Sequence, residues 1–403
     1  MRRFLITTIR RHTPHTEPSG YIYLVDAEQR KVLQRSVMIE PAYREVDTNP
    51  RGGMRGSRGI SVAPDRIAIA NASIVYLYSP TWDLQGIISH PSAAAIHDIH
   101  FQGETLWVTA ARNDLLLQFD LSGRLLSHFY MRQPSLATKT LKWQPRILFT
   151  PESVRQGSID FRDPRTHDEE TYDHAHVNSI CFLSNGEMLV SLGLVLGTGF
   201  SALLRIKARL VRAGIWPRLL AANRRLRSWL RLKKNMHSDL VVQPARARSA
   251  VFRFSPDGQH RLALALNGVT VPSHSLLALP DETVIYLNTT AGSVVRFSPD
   301  TGQVLSDTRV TDGFLRGVTQ VSGNRLLMGS KNELITFDLR DLKVDDVYKF
   351  ISDPNESVYD IKELPEHFGA PPLSFEDHFY QSTGVRSQDL PANDYKIRLP
   401  KQP

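Results

Sequence analysis

The chain has 403 residues, 41% hydrophobic and 22% charged, which supplies apolar material for a sizeable core. Its single cysteine, Cys181, excludes an intramolecular disulfide and fits a reducing compartment. The net charge of +8 is local: the stretch 205–234, opening on Arg205 and closing on Lys234, carries eleven Lys/Arg and no Asp or Glu, so the remaining residues sum to −3.

A general polyanion binder spreads its charge over a face or stripe, so nucleic acid is not an expected partner. The apolar run from Phe4 to Ile9 is broken by Thr7 and Thr8. It is too short for a secretory signal and lacks a small-residue cleavage site. No stretch reaches the ~18 apolar residues that span a bilayer. The expectation is a cytoplasmic chain, with peripheral membrane contact through the basic stretch.

In chain order, Arg3 to Ile9, Gly20 to Val25 and Lys31 to Val37 read as three strands. A repeat of about forty residues follows, once insertions are set aside. Each copy has an apolar strand, a Pro-Asp, Asn-Gly or Gly-Asn turn, a second strand, a third ending near an aromatic, a Gly-containing turn and a fourth. Copies open at Gly59, Asp98, Ser179, Ser275 and Gly317. The clearest runs Ser275-Leu-Leu-Ala-Leu, Pro280-Asp281, Thr283-Val-Ile-Tyr-Leu, Ser293-Val-Val-Arg-Phe, Gly302, Gln303-Val-Leu.

Two insertions interrupt the pattern. Residues 133–173 form a polar, Pro-containing loop. Residues 200–248 predict two basic amphipathic helices broken at Gly214 and Pro217. In the first, Arg205, Arg209 and Arg212 oppose Leu203, Ile206 and Leu210. In the second, Arg224, Arg227, Arg231 and Lys234 oppose Leu219, Ala222, Leu226, Trp229 and Leu230. Such helices lie on anionic membranes or bind acidic proteins; the alternative is a lid whose apolar stripe packs on the body.

Ser357-Val-Tyr-Asp-Ile361 reads as a lone first strand, and 364–403 as an irregular tail. That lone strand supplies what the three N-terminal strands lack. Pairing them closes a ring and removes its open edges. The fold class is all-β: one six-bladed β-propeller domain over 1–403, with a split closing blade and a basic α-helical insertion.

Aligning the first strands on their leading apolar residue places Arg58, His97, Asn178, His274, Arg316 and Tyr359 two positions before it. First strands line a propeller's axis, so six large polar side chains converge there. Two arginines and two histidines predict a pocket for an anionic small molecule or headgroup, gripped by guanidinium forks. The alternative is a wet, polar channel lining. Asp98 and Asp360 sit one residue later, where strand alternation turns them to the other face. Calcium, which needs several oxygen ligands, is therefore disfavoured.

The blade pattern over roughly 3–361 resembles the six-bladed propellers that include NHL-repeat, strictosidine-synthase-like, gluconolactonase-like and arylsulfotransferase proteins. Gluconolactonase-like members hold a divalent ion with acidic side chains, which the ring lacks. The arylsulfotransferase likeness implies sulfuryl transfer, with His97 or His274 as nucleophile or acid/base and Arg58, Arg316 and Asn178 cradling the sulfuryl group.

His174 and His176 form a His-x-His pair, a common zinc half-site. With His97 or His274 they predict a three-histidine site for a divalent metal; the alternative is a solvated loop. His100 points away from His97 and reads as a core histidine. Gly197-Thr-Gly199 lacks the acidic residue that a dinucleotide site needs, so no nucleotide is expected.

Overall fold

Six four-stranded antiparallel sheets surround one axis in the computed structural model, which describes residues 2–47, 55–133, 136, 141, 150–167, 175–195, 206, 209–210, 213–229 and 248–389. The inner strands of blades one to six are Ser57–Ala63, Ile96–Gln102, Val177–Phe182, His274–Ala278, Leu315–Ser322 and Glu356–Leu364. Each touches the inner strand of the next blade, and the sixth touches the first. The molecule is thus a closed six-bladed β-propeller.

Blade six is split as the sequence predicts. Glu356–Leu364 pairs antiparallel with Arg3–Arg10, placing Leu5 against Lys362 and Thr8 against Val358. Tyr21–Asp26 and Lys31–Val37 complete that sheet.

The turn chemistry explains why the repeat folds locally. Asn185 Oδ1 accepts from Glu187 N at 3.0 Å, and Asp281 Oδ1 accepts from Thr283 N at 3.1 Å. These side chains satisfy the turn backbone between an inner strand and its neighbour. Apolar residues from facing blades then fill the gaps between sheets: Ala68, Val75 and Ile88 of blade one pack with Ile99, Leu106 and Leu117 of blade two. Removing such residues from water is the main force holding blade to blade.

The tail is more regular than expected. Phe375–Thr383 is an α-helix, N-capped by Ser374 and closed by Gly384 at positive φ. Its Phe375 and Phe379 are buried beside Tyr76, Tyr78 and Trp82 of blade one. The apolar pull of these aromatic rings orders a segment read as irregular. The connection 133–173 contains a short helix, Pro151–Gln156, held by a capping box at Thr150 and Ser153. Phe161 N donates to Pro91 O at 2.8 Å, and Arg162 Nη1 to Ser89 Oγ at 2.7 Å, fastening this connection to the body.

In the basic insertion, Trp216–Trp229 is helical. Ile206, Ile215, Leu219, Leu226 and Trp229 are exposed, Trp229 to 79%. Among the described residues no helix is long and apolar enough to cross a membrane.

Candidate axial site

Every inner strand slips register at the same place. Ser57 pairs with Asn71 but Ile60 with Ile69, so Arg58 and Gly59 oppose Ala70 alone. Ile96 and Ile99 pair with Ala110 and Val108, leaving His97 and Asp98 against Thr109. The same slip falls at Asn178, Ser275, Gly317 and Tyr359. Such a β-bulge sets two residues against one and re-aims their side chains. Six of them, in register around the ring, turn Arg58, His97, Asn178, His274, Arg316 and Tyr359 inward; all six are buried.

The bulge also overturns one expectation. Asp98 and Asp360 do not turn away: both line the same axial cavity as His97, Asn178, His274, Arg316 and Tyr359, together with Lys362. Their carboxylates stitch neighbouring blades. Asp98 Oδ2 accepts from Ile180 N of blade three, and Asp360 Oδ2 from Ile60 N of blade one, each at 2.9 Å. Ser179 Oγ accepts from Ser275 N at 2.7 Å, and Ser275 Oγ from Gly317 N at 2.9 Å. Where this position is Gly317 (φ +67°), a Cβ would lie 3.0 Å from Asp360 Cα, so this close approach of two blades favours glycine. Burial pushes the Asp98 carboxyl up to about 7 despite Lys362 nearby.

The inward side chains form one connected network around a small cavity of ≈ 20 Å³. Arg58 Nη1 donates to Tyr359 Oη at 2.9 Å, and both Arg58 and Arg316 pack on the Tyr359 ring, with Cζ 4.8 and 4.3 Å from its centroid. Arg316 Nη2 donates to His274 Nε2 at 2.8 Å. Asn178 Nδ2 donates to Ser273 O and lies 3.0 Å from His274 Nδ1. The His97 and His274 rings stack in parallel at 5.4 Å.

Burial, followed by the surrounding cations, sets the charges. The His97 and His274 imidazoles are held well below their ordinary value of 6.5 and stay neutral at pH 7. Burial lowers the Arg316 guanidinium to about 9, and Arg11 and Arg58 push the same way. Arg316 Nε has no hydrogen-bond partner, and Arg316 makes no ion pair, among the described residues.

Of the predicted metal pair, His174 lies outside the described residues. His176 reaches the axis, its ring centroid 4.6 Å from His97 and 5.9 Å from His274. Its backbone sits at φ 52°, a left-handed conformation held by Asp114, whose Oδ1 accepts from Ala175 N and His176 N at 2.9 and 3.1 Å. Arg132 fixes that carboxylate from the other side at 2.7 Å, both side chains fully buried. His100 faces away as expected: its Nδ1 meets Phe101 O at 2.7 Å and its ring packs on Phe182.

Two residues at the site escape the strand alignment. Phe314 lies 5.7 Å from His274 and packs against Arg316. Arg11 sits over the Phe314 ring at 5.9 Å and adds a third guanidinium. Neither occupies the aligned strand position; the only sequence signal was the Arg10-Arg11 pair closing the first strand.

No family model matches the chain, and no curated protein matches its sequence. Solved structures match in fold. A protein of unknown function from Bacteroides caccae has a TM-score of 0.50 at 9% identity, covering 91% of this chain and 99% of its own. The nidogen/laminin complex gives 0.48 at 10% identity, with 90% and 98% covered. Virginiamycin B lyase from Staphylococcus aureus gives 0.41 at 10%, with 74% and 71% covered. At these identities the likeness concerns the fold alone.

Proposed function

We propose that the axial cavity binds a small anionic molecule or headgroup through carboxylate, phosphate or sulfate oxygens. The observation that carries this reading is Arg316: a buried guanidinium without an ion-pair partner among the described residues, its Nε unsatisfied. An uncompensated buried charge is costly, and an incoming anion offsets that cost. Arg58 beside Tyr359, and Arg11 at Phe314, add positive potential on the same side. Two neutral imidazoles serve as base, nucleophile or metal ligand rather than as proton donor, so group transfer or hydrolysis is the reaction class that fits.

The test is a thermal-shift and calorimetric screen of sulfate esters, phosphate esters and carboxylates. A binder from this set is expected. Arg316→Ala is then expected to lose about 1.5–3 kcal/mol of its binding, the range for a charged hydrogen bond. Unchanged affinity in both Arg316→Ala and Arg58→Ala refutes the anion role.

A second reading has its own support. Leu219, Leu226 and Trp229 of the helix Trp216–Trp229 are exposed within a stretch of eleven basic residues. That pairing fits docking of a non-catalytic propeller on an anionic membrane surface.

A further inference from the structure

Three imidazoles meet on the axis. His97 and His274 come from bulged inner strands and His176 from the turn that enters blade three. One ring nitrogen of each lies within 4.8 Å of the others. A tetrahedral zinc site with bonds of about 2.0 Å places its nitrogens about 3.3 Å apart. Side-chain shifts on the order of 1 Å would bring these three onto one ion.

Each ring carries a sign of that use. His97 Nδ1 is buried and without a hydrogen-bond partner among the described residues. An orphaned polar atom on a ring that is 7% exposed needs a reason to persist. His274 Nε2 already accepts from a cation, the Arg316 guanidinium at 2.8 Å. A neutral imidazole has one lone pair. The His274 Nδ1 faces a second donor, Asn178 Nδ2 at 3.0 Å, so the single lone pair cannot satisfy both and one donor is left for another acceptor. His176 is held out of the ordinary backbone regions by the buried Asp114–Arg132 pair, a firm outer support for one side chain.

We propose that His97, His176 and His274 bind one divalent transition-metal ion of the zinc type, and that this ion anchors the anion in the axial pocket. Three neutral nitrogen ligands select such an ion over calcium or magnesium, which prefer oxygen. They leave its two charges uncompensated and one coordination position open, so the natural fourth ligand is an anion. On this arrangement the metal takes the His274 lone pair and Arg316 is released to grip the same anion. The anchoring half of the proposal rests on the anion reading; the metal half stands apart from it.

The experiment titrates zinc, and calcium as control, into the full chain after chelation, by calorimetry. The same chain loaded with cobalt is read by visible absorption. One zinc per chain, no calcium at matched concentration, and the absorption of a tetrahedral cobalt centre are expected. His176→Ala, His97→Ala and His274→Ala are each expected to weaken zinc binding by more than the roughly 10–100-fold lost on removing a supporting residue. His176 is only half-buried, so His176→Ala and His176→Gln decide the question if either buried variant fails to fold. Absence of stoichiometric zinc, or zinc affinity unchanged in a folded His176 variant, overturns the metal site.

Sulfate and phenyl phosphate are then titrated into zinc-loaded and chelated chain. Tighter binding to the loaded chain is expected. Equal binding in both refutes the anchor and leaves the anion reading intact. No anion binding by chain that holds zinc overturns the anion reading and the anchor, and leaves the metal site standing.

Discussion

Asp114 shows how much a single side chain arranges here. Its carboxylate accepts from two backbone N–H groups of the turn carrying His176 and from the fully buried Arg132. Removing one member of a buried pair leaves the other charged and unsolvated, which costs about 3–5 kcal/mol. Asp114→Ala is therefore expected to lower stability to denaturant by that amount. If the variant stays folded, it should also weaken zinc binding although Asp114 is not itself a proposed ligand. A melt within 1 kcal/mol of the parent (about the uncertainty of a single contact) would show that the pair does not hold this turn. At this scale the sequence was informative wherever a residue type recurred at one position of the repeat. Arg58, His97, Asn178, His274, Arg316 and Tyr359 were all found that way, and all six meet. Arg11, Phe314 and Asp114 lie outside the repeat register, and apart from the Arg10-Arg11 pair nothing in their neighbours marks them. Only the folded ring brings them to the site.

Among the elements, the inner-strand bulge does the most to shape the site. Strict alternation would send residues 98 and 360 away from the axis, and that was the sequence expectation. A bulge is a one-residue change in pairing with no obligatory residue signature, so it stays invisible until the register is known. The C-terminal helix was legible in principle: Ser374 as N-cap, Asp377 three residues on, Gly384 at the end and two phenylalanines on one face. Its regularity was masked by the prolines before it. Phe379→Ala is expected to cost about 3–5 kcal/mol, the range for removing a buried aromatic ring, because Tyr76 loses its edge-on partner. A loss below 1 kcal/mol in urea melts (well under that range) would mean the helix adds nothing to the fold. The basic helix faces a different test. Anionic vesicles should sediment the full chain at low salt but not at high salt, since surface charge attraction is screened within a Debye length. A chain lacking 203–234 should stay in solution. Failure of the full chain to bind at low salt would remove the membrane reading.

For the whole molecule, ring closure ties stability to pH through histidines outside the axial ring. His90 lies where the 133–173 connection meets blade one, facing Arg162, Asp160 and His128; burial, then Arg162, takes its imidazole down to about 4. His100 sits between blades two and three against Phe182, and burial takes it to about 4 as well, with Lys362 adding to the shift. Both folded-state values lie below the ordinary 6.5, so the unfolded chain binds more protons below that pH. The stability these neutral rings contribute is present above 6.5 and is lost as pH falls from there towards about 4. Each ring supplies a slope of up to about 1.4 kcal/mol per pH unit. Glu40 and Glu356, raised by burial, act in the opposite sense, their contribution declining as pH rises. Comparing the parent with His90→Gln/His100→Gln removes that background, because the glutamates are common to both. Urea unfolding with chelator present, so that metal occupancy is fixed, should show the parent losing more stability between pH 7 and pH 5 than the double variant. Equal losses in the two chains would mean that neither histidine is held neutral by the fold, and that the packing around His90 and His100 admits the charged ring.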